Sequence, residues 1–126
     1  AILIPKESYE NCFGNYFKYA MRNAMDIATT GCSVNVRLSA DKKTMERVRI
    51  GFGVAGPVPM RAVKAEAGAA GKPVTMAAVE EIAASVLEDI NPRDSWRASK
   101  ALRQHIAVEL TKRCLMRSIE LAGGVL

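Results

Sequence analysis

Two stretches near the middle of the chain alternate apolar with polar or small residues, the period of a β-strand that has one buried face. The apolar positions are Cys32, Val34, Val36 and Leu38 in the first stretch and Val48, Ile50, Phe52 and Val54 in the second. A polar segment of about five residues joins them, which is short enough for a hairpin connection. The pattern therefore predicts an antiparallel hairpin. The two prolines of segment 55–62 limit that segment to an irregular turn or a short edge strand.

Three helices are predicted after these strands. An alanine-rich helix occupies residues 62–70, a second helix is capped by Thr75 and continues to about residue 90, and the last extends from about residue 96 or 98 to about residue 121. Because the strands are segregated from the helices along the chain, we expect an α+β fold. It would consist of a small antiparallel sheet of about three strands, packed against about three C-terminal helices.

The segment Phe17–Ala28 shows neither a clean strand pattern nor a clean helix pattern. Lys18, Arg22 and Asp26 recur every four residues, so a helix would place them on one face. On spacing alone, we interpret the segment as a solvated helical face on which Asp26 pairs with the two basic residues.

The chain begins on Ala1 without an initiator Met, and residues 1–5 form an apolar run that ends in proline. We interpret this run as the end of a buried strand whose neighbours lie in a missing upstream part, although Met removal or processing would also explain Ala1. Residues 1–16 would then be the strand end and a loop, and residues 17–126 would form the domain.

The composition is that of an ordinary soluble globular domain, and no apolar run approaches the roughly 20 residues that span a bilayer. The net charge of +5 permits an anionic partner. We expect no nucleic acid and no membrane as partners, because the basic residues are dispersed and aromatic residues are scarce. Cys12, Cys32 and Cys114 are odd in number and widely spaced, which favours reduced thiols in a cytoplasmic protein.

The sequence contains no strong catalytic or metal-binding motif. Residues 51–56 match G-x-G-x-x-G as letters, but no parallel βαβ unit surrounds them, and prolines follow where a helix should begin. His105 is the single histidine, and no nucleophile and carboxylate are placed to complete a triad with it. We therefore expect no catalytic residue and no metal site in this chain.

Four segments in order resemble the C-terminal domain of the FAD-binding subunit of molybdenum hydroxylases, the family of xanthine dehydrogenase, aldehyde oxidase and CO dehydrogenase. They are the Phe-x-Lys-x-x-x-Arg segment that starts at Phe17, the segment 49–62 with its Gly-x-Ala-x-x-Pro-x-Arg-like end, the segment 89–99, and Arg103-Gln104-His105-Ile106. The first and third look especially like bacterial xanthine dehydrogenase FAD subunits.

The resemblance implies an oxidoreductase in which electrons pass from a molybdenum centre through iron–sulfur clusters to FAD and then to NAD or another acceptor. Lys18 would lie near the pyrimidine side of the flavin ring, and the loop beside the ring would contain Tyr19, Ala20, Met21, Arg22 and Asp26. FAD is expected in the full-length subunit rather than on this fragment, which would be inactive alone.

The partners implied by the resemblance are the N-terminal FAD-binding part of the same subunit and the subunits that carry molybdopterin and the iron–sulfur clusters. Two alternatives remain open at this point. The same fold could be a docking domain without flavin and without enzymatic activity, or a basic RNA-binding domain whose affinity falls steeply with salt.

Overall fold

In the computed structural model, which describes residues 1–126, one antiparallel sheet contains four strands in chain order. The strands are β1 (Phe13–Tyr19), β2 (Thr30–Leu38), β3 (Met45–Gly53) and β4 (Met60–Arg61). The predicted hairpin is confirmed as β2 and β3, and the segment with two prolines leads into the short edge strand β4. Strand β1 adds a fourth strand that the sequence pattern did not predict.

Four α-helices accompany the sheet. They are α1 (Lys6–Tyr9), α2 (Val63–Ala69), α3 (Met76–Ser85), which continues as a 3₁₀ turn over Val86–Glu88, and α4 (Lys100–Leu121). The three predicted helices correspond to α2, α3 and α4. Thr75 and Ser99 cap α3 and α4, because their hydroxyls accept the main-chain N–H of the third residue of each helix. No helix has the length and apolar character required to cross a membrane.

The hydrophobic core lies between one face of the sheet and the helices. Helix α4 packs on β1 and β2, whereas α2 packs on β3 and α3 packs on α2 and α4. The inward side chains of β2 and β3 are buried, and Cys32 and Cys114 both lie in this core. Ser118 of α4 donates a hydrogen bond to the Val34 carbonyl at 2.9 Å, which fixes the helix against the middle of β2.

The interpretation of Phe17–Ala28 as a helix is wrong. Strand β1 continues to Tyr19, and residues 20–29 form a loop that returns the chain to β2. The four-residue spacing misled because Lys18 belongs to the strand, whereas Arg22 and Asp26 belong to the loop. The sheet also begins at Phe13, four residues before the expected start of the domain at residue 17.

The apolar run at the start of the chain forms no strand. Ile2, Leu3 and Ile4 are exposed, and the short helix α1 follows them. The run therefore lacks the sheet neighbours that a buried strand would need.

Glu66 of α2 is a buried carboxylate that the sequence did not reveal. It accepts a hydrogen bond from the main-chain N–H of Ile50 at 2.9 Å, pairs with Arg61, and lies 3.3 Å from Arg49. Burial raises the pKa of Glu66, but the hydrogen bonds from Arg61 and Ile50 and the charges of both arginines outweigh it, so the net pKa is lowered. Glu66 thus joins α2 to β3 and β4 as a carboxylate.

We expect Glu66→Ala to lower the free energy of unfolding by about 1–3 kcal/mol, because the Ile50 N–H would be left buried without an acceptor. Glu66→Gln should cost less, since its amide oxygen can still accept that hydrogen bond. The matched control is Glu46→Ala, which removes an exposed carboxylate paired with Arg37 and should cost at most about 1 kcal/mol. Urea denaturation measures all three, and equal losses for Glu66→Ala and Glu46→Ala would contradict the assignment.

Candidate functional site

Lys18 lies near the end of β1, on the face of the sheet opposite α4. Its register partner on β2 is Gly31, which offers no side chain beside it. The Lys18 ammonium donates a hydrogen bond to the main-chain carbonyl of Asp26 and forms no ion pair with a carboxylate. An ammonium has three N–H donors, so Lys18 retains donors and a full positive charge for a further acceptor.

The loop 20–29 is organised by the side chain of Asp26. The two carboxylate oxygens of Asp26 accept the main-chain N–H groups of Arg22 and Ile27, each at 2.8 Å. The guanidinium of Arg22 donates to the Met25 carbonyl at 2.7 Å and lies 3.9 Å from the Asp26 carboxylate. Asp26 therefore shapes the loop mainly through main-chain hydrogen bonds, and the expected ion pair with Arg22 is long.

The crest of this loop is apolar and exposed. Met21 and Ile27 are largely exposed, and Met25 is 95% exposed with a left-handed main chain (φ 50°). Ala20 is half-buried at the start of the loop, and Tyr19 is the last residue of β1. Clustered apolar side chains on a surface loop are typical of a surface that contacts another molecule or chain.

Arg103 of α4 anchors the base of the loop. The Thr29 N–H donates to the Tyr19 carbonyl at 2.8 Å and closes the loop, while the Thr29 carbonyl accepts from the Arg103 guanidinium. Arg103 also donates to the Ser95 hydroxyl at 2.9 Å, is 3% exposed, and has no carboxylate partner. Burial, with the nearby charges of Arg93 and Arg97, lowers its pKa. Arg103 therefore holds the root of the loop by direct contact.

The face of the sheet opposite α4 contains an open trough of about 400 Å³ that sequence reasoning missed. Ser33 and Gly51 lie on its floor, with Tyr16 on one side and Arg61 on the other. A Cβ at Gly51 would meet the Ser33 hydroxyl at 2.9 Å, so a glycine is needed where the two strands bring Ser33 this close. The sequence signal for this trough was the set of small and polar residues at the outward positions of the two alternating stretches.

Comparisons of the sequence with known proteins agree on one family. The sequence model of the CO dehydrogenase flavoprotein C-terminal domain matches residues 15–118. The xanthine dehydrogenase FAD-binding subunit of Escherichia coli O157:H7 is 42% identical over 126 residues, which is all of this chain and 42% of the relative. The chain thus spans about two fifths of the length of the curated relative it matches.

Solved structures share the fold. Carbon monoxide dehydrogenase from Hydrogenophaga pseudoflava superposes with a TM-score of 0.79 and 27% identity, over 90% of this chain and 38% of that one. Quinoline 2-oxidoreductase from Pseudomonas putida 86 superposes with a TM-score of 0.80 and 21% identity, over 88% of this chain and 38% of that one.

The loop should depend on the ionisation of Asp26. Burial raises the pKa of Asp26, but the hydrogen bonds from Arg22 and Ile27 and the charge of Arg22 lower it by a larger amount. The pKa of Asp26 therefore lies below its ordinary value of 3.8. The contribution of Asp26 to stability is therefore present above pH 3.8 and is lost as the pH falls through the lowered pKa. We expect the amide NMR signals of Arg22 and Ile27 to shift with a midpoint below 3.8.

Asp26→Asn is the control for this titration, because it should abolish the shift of both amides. A midpoint above 3.8 in the unsubstituted protein, or an unchanged titration in Asp26→Asn, would show that Asp26 does not organise the loop.

Proposed function

The chain belongs to the family of CO dehydrogenase flavoprotein C-terminal domains, and we propose that it is the C-terminal part of the FAD-binding subunit of a xanthine-dehydrogenase-like molybdenum hydroxylase. In this proposal the domain closes over the flavin, and the rest of the subunit holds most of the FAD. The phosphate-binding glycine loops belong to that upstream part. This chain then supplies no catalytic residue of its own.

The observation that carries the proposal is the exposed, unneutralised ammonium of Lys18 beside a loop with an apolar crest. A flavin ring is a flat apolar surface with carbonyl acceptors at its pyrimidine end, so an apolar loop beside a free N–H donor fits it. When bound, FAD would supply electron transfer between the iron–sulfur clusters and NAD or another acceptor, and reduction would place negative charge near N1 and the C2 carbonyl of its ring. The Lys18 cation stabilises that charge and thereby raises the flavin potential.

The neighbouring residues have supporting roles. Tyr19, Ala20 and Met21 continue from Lys18 into the loop and lie beside the ring. Arg22 and Asp26 hold the loop in shape, and the Asp26 carbonyl positions the Lys18 ammonium.

The complete enzyme would contain molybdopterin and iron–sulfur clusters on partner subunits. The relatives support such an assembly because the similar Escherichia coli protein is a xanthine dehydrogenase subunit. We place the enzyme in the cytoplasm, in keeping with three cysteines that are all free thiols.

We expect Lys18→Ala, made in the full-length subunit of the complete enzyme, to slow electron transfer through FAD and leave chemistry at the molybdenum centre unchanged. The flavin potential should fall, with about 30 mV corresponding to about 1.4 kcal/mol for this two-electron couple. Stopped-flow reduction and a potentiometric titration measure the two effects, and Lys18→Arg should retain much of the potential because it keeps the charge.

Lys42→Ala is a matched control, since Lys42 is an exposed lysine in the hairpin turn between β2 and β3. It should leave flavin reduction unchanged. Flavin kinetics in Lys18→Ala equal to those of the control would remove Lys18 from the flavin site, and a full-length subunit purified without FAD would favour the docking alternative.

A further inference from the structure

Arg103 is a buried cation that no carboxylate of the chain neutralises. It is 3% exposed, its guanidinium donates only to two neutral oxygens, the Thr29 carbonyl and the Ser95 hydroxyl, and its buried Nε has no acceptor. The charged groups that act on it, Arg93 and Arg97, are cations as well. A buried charge without a counter-charge costs free energy even when neutral acceptors surround it. Stability alone therefore does not explain an arginine at this position.

One of the two contacts of Arg103 is to a tight turn just before α4. Ser95 and Ala98 exchange main-chain hydrogen bonds in both directions, at 3.0 and 3.2 Å. The Ser95 hydroxyl accepts from the main-chain N–H of Arg97 at 3.3 Å and from the Arg103 guanidinium at 2.9 Å. The guanidinium is thus fixed from two sides, by its own helix and by this turn, and can hold a third segment in place.

The third segment is the root of the loop 20–29. The Thr29 carbonyl accepts from Arg103, and the Thr29 N–H donates to the Tyr19 carbonyl at 2.8 Å, so Thr29 and Tyr19 hold the two ends of the loop together. Lys18 directly precedes Tyr19, and its ammonium donates to the Asp26 carbonyl inside the loop. The position of the ammonium therefore depends on where the root of the loop is held.

No other hydrogen bond joins this loop to a helix. The bonds of Asp26 to the main chain of Arg22 and Ile27, and the bond of Arg22 to the Met25 carbonyl, all lie within the loop. They fix its internal shape but not its place on the domain. That place is set by the strand ends and by the single contact from Arg103.

We propose that Arg103 is a positioning residue for the flavin, which acts by holding Thr29 and thereby keeps the Lys18 ammonium at the pyrimidine end of the ring. The inference rests on the proposed function, because that function gives Lys18 its effect on the flavin potential. Arg103 does not touch the flavin in this account, and all of its effect passes through Lys18.

Limited trypsin digestion of the full-length subunit tests the hold on the loop without using the flavin. Arg103→Met keeps much of the side-chain volume and removes every N–H donor. We expect cleavage after Arg22 to become at least about tenfold faster, because the loop opens locally more often. The control is Ile119→Val, which trims the buried face of α4 about 24 Å along the helix from Arg103 and should leave this cleavage unchanged.

Potentiometric titration of the complete enzyme tests the action through Lys18. Arg103→Met should lower the equilibrium constant for flavin reduction about tenfold, which is about 30 mV for a two-electron couple. In a Lys18→Ala background the same substitution should cause no further change, because its target is already absent. A merely structural role would lower the melting temperature, as Ile119→Val does, and leave the potential where it was.

Ser95→Ala keeps the test decisive if Arg103→Met does not fold. It removes the acceptor on the turn and retains the arginine, so it should change cleavage and potential in the same direction by a smaller factor.

Unchanged cleavage after Arg22, or a potential shift that persists in full without Lys18, would overturn the inference. The Lys18→Ala enzyme separates this failure from that of the proposed function. A potential that responds to Lys18→Ala but not to the Arg103 and Ser95 variants contradicts the positioning role alone. A potential that does not respond to Lys18→Ala contradicts the flavin role of Lys18 itself, even where the cleavage result shows that Arg103 holds the loop.

Discussion

The packing of the three long helices, α2, α3 and α4, on only one face of the sheet is the constraint on which the rest of the structure depends. Strand side chains alternate between the two faces, so the apolar residues of β2 and β3 all point toward the helices. The charged residues between them must then share the opposite face. Lys18 and the arginines are therefore brought together by the same alternation that builds the core, and no separate motif is needed to assemble them.

Arg103 connects this core to the loop beside Lys18. It is a cation in the core region without a carboxylate, which costs desolvation free energy that neutral acceptors recover only in part. In return, Arg103 fixes the positions of three segments. Its guanidinium donates to the Thr29 carbonyl and to the Ser95 hydroxyl, and so joins α4, the segment before α4 and the root of the loop. The planar fork of arginine suits this task better than a lysine ammonium.

The elements that could be predicted from sequence are those with strong periodicity. The hairpin of β2 and β3 and the helices α3 and α4 bury a complete face, so apolar residues mark them clearly. Strand β1 was not predicted, because its helix-facing positions include the polar Asn15 and the half-exposed Phe13 and Phe17, which leave no clean alternation. The role of Glu66 was not predicted either, since its partners Ile50 and Arg49 are far away in the sequence. The family resemblance pointed to Lys18, but strand register was needed to show which face it occupies.

The effect proposed for Lys18 depends on how much water remains around its ammonium. A unit charge 4 Å from another is worth about 1 kcal/mol in bulk water and about 4 kcal/mol near a protein surface of lower effective dielectric. An ammonium that is open to water is in the first situation and could do little to stabilise a reduced flavin. Closure of the domain over the ring, as proposed, would exclude water from around Lys18 and move it toward the second situation.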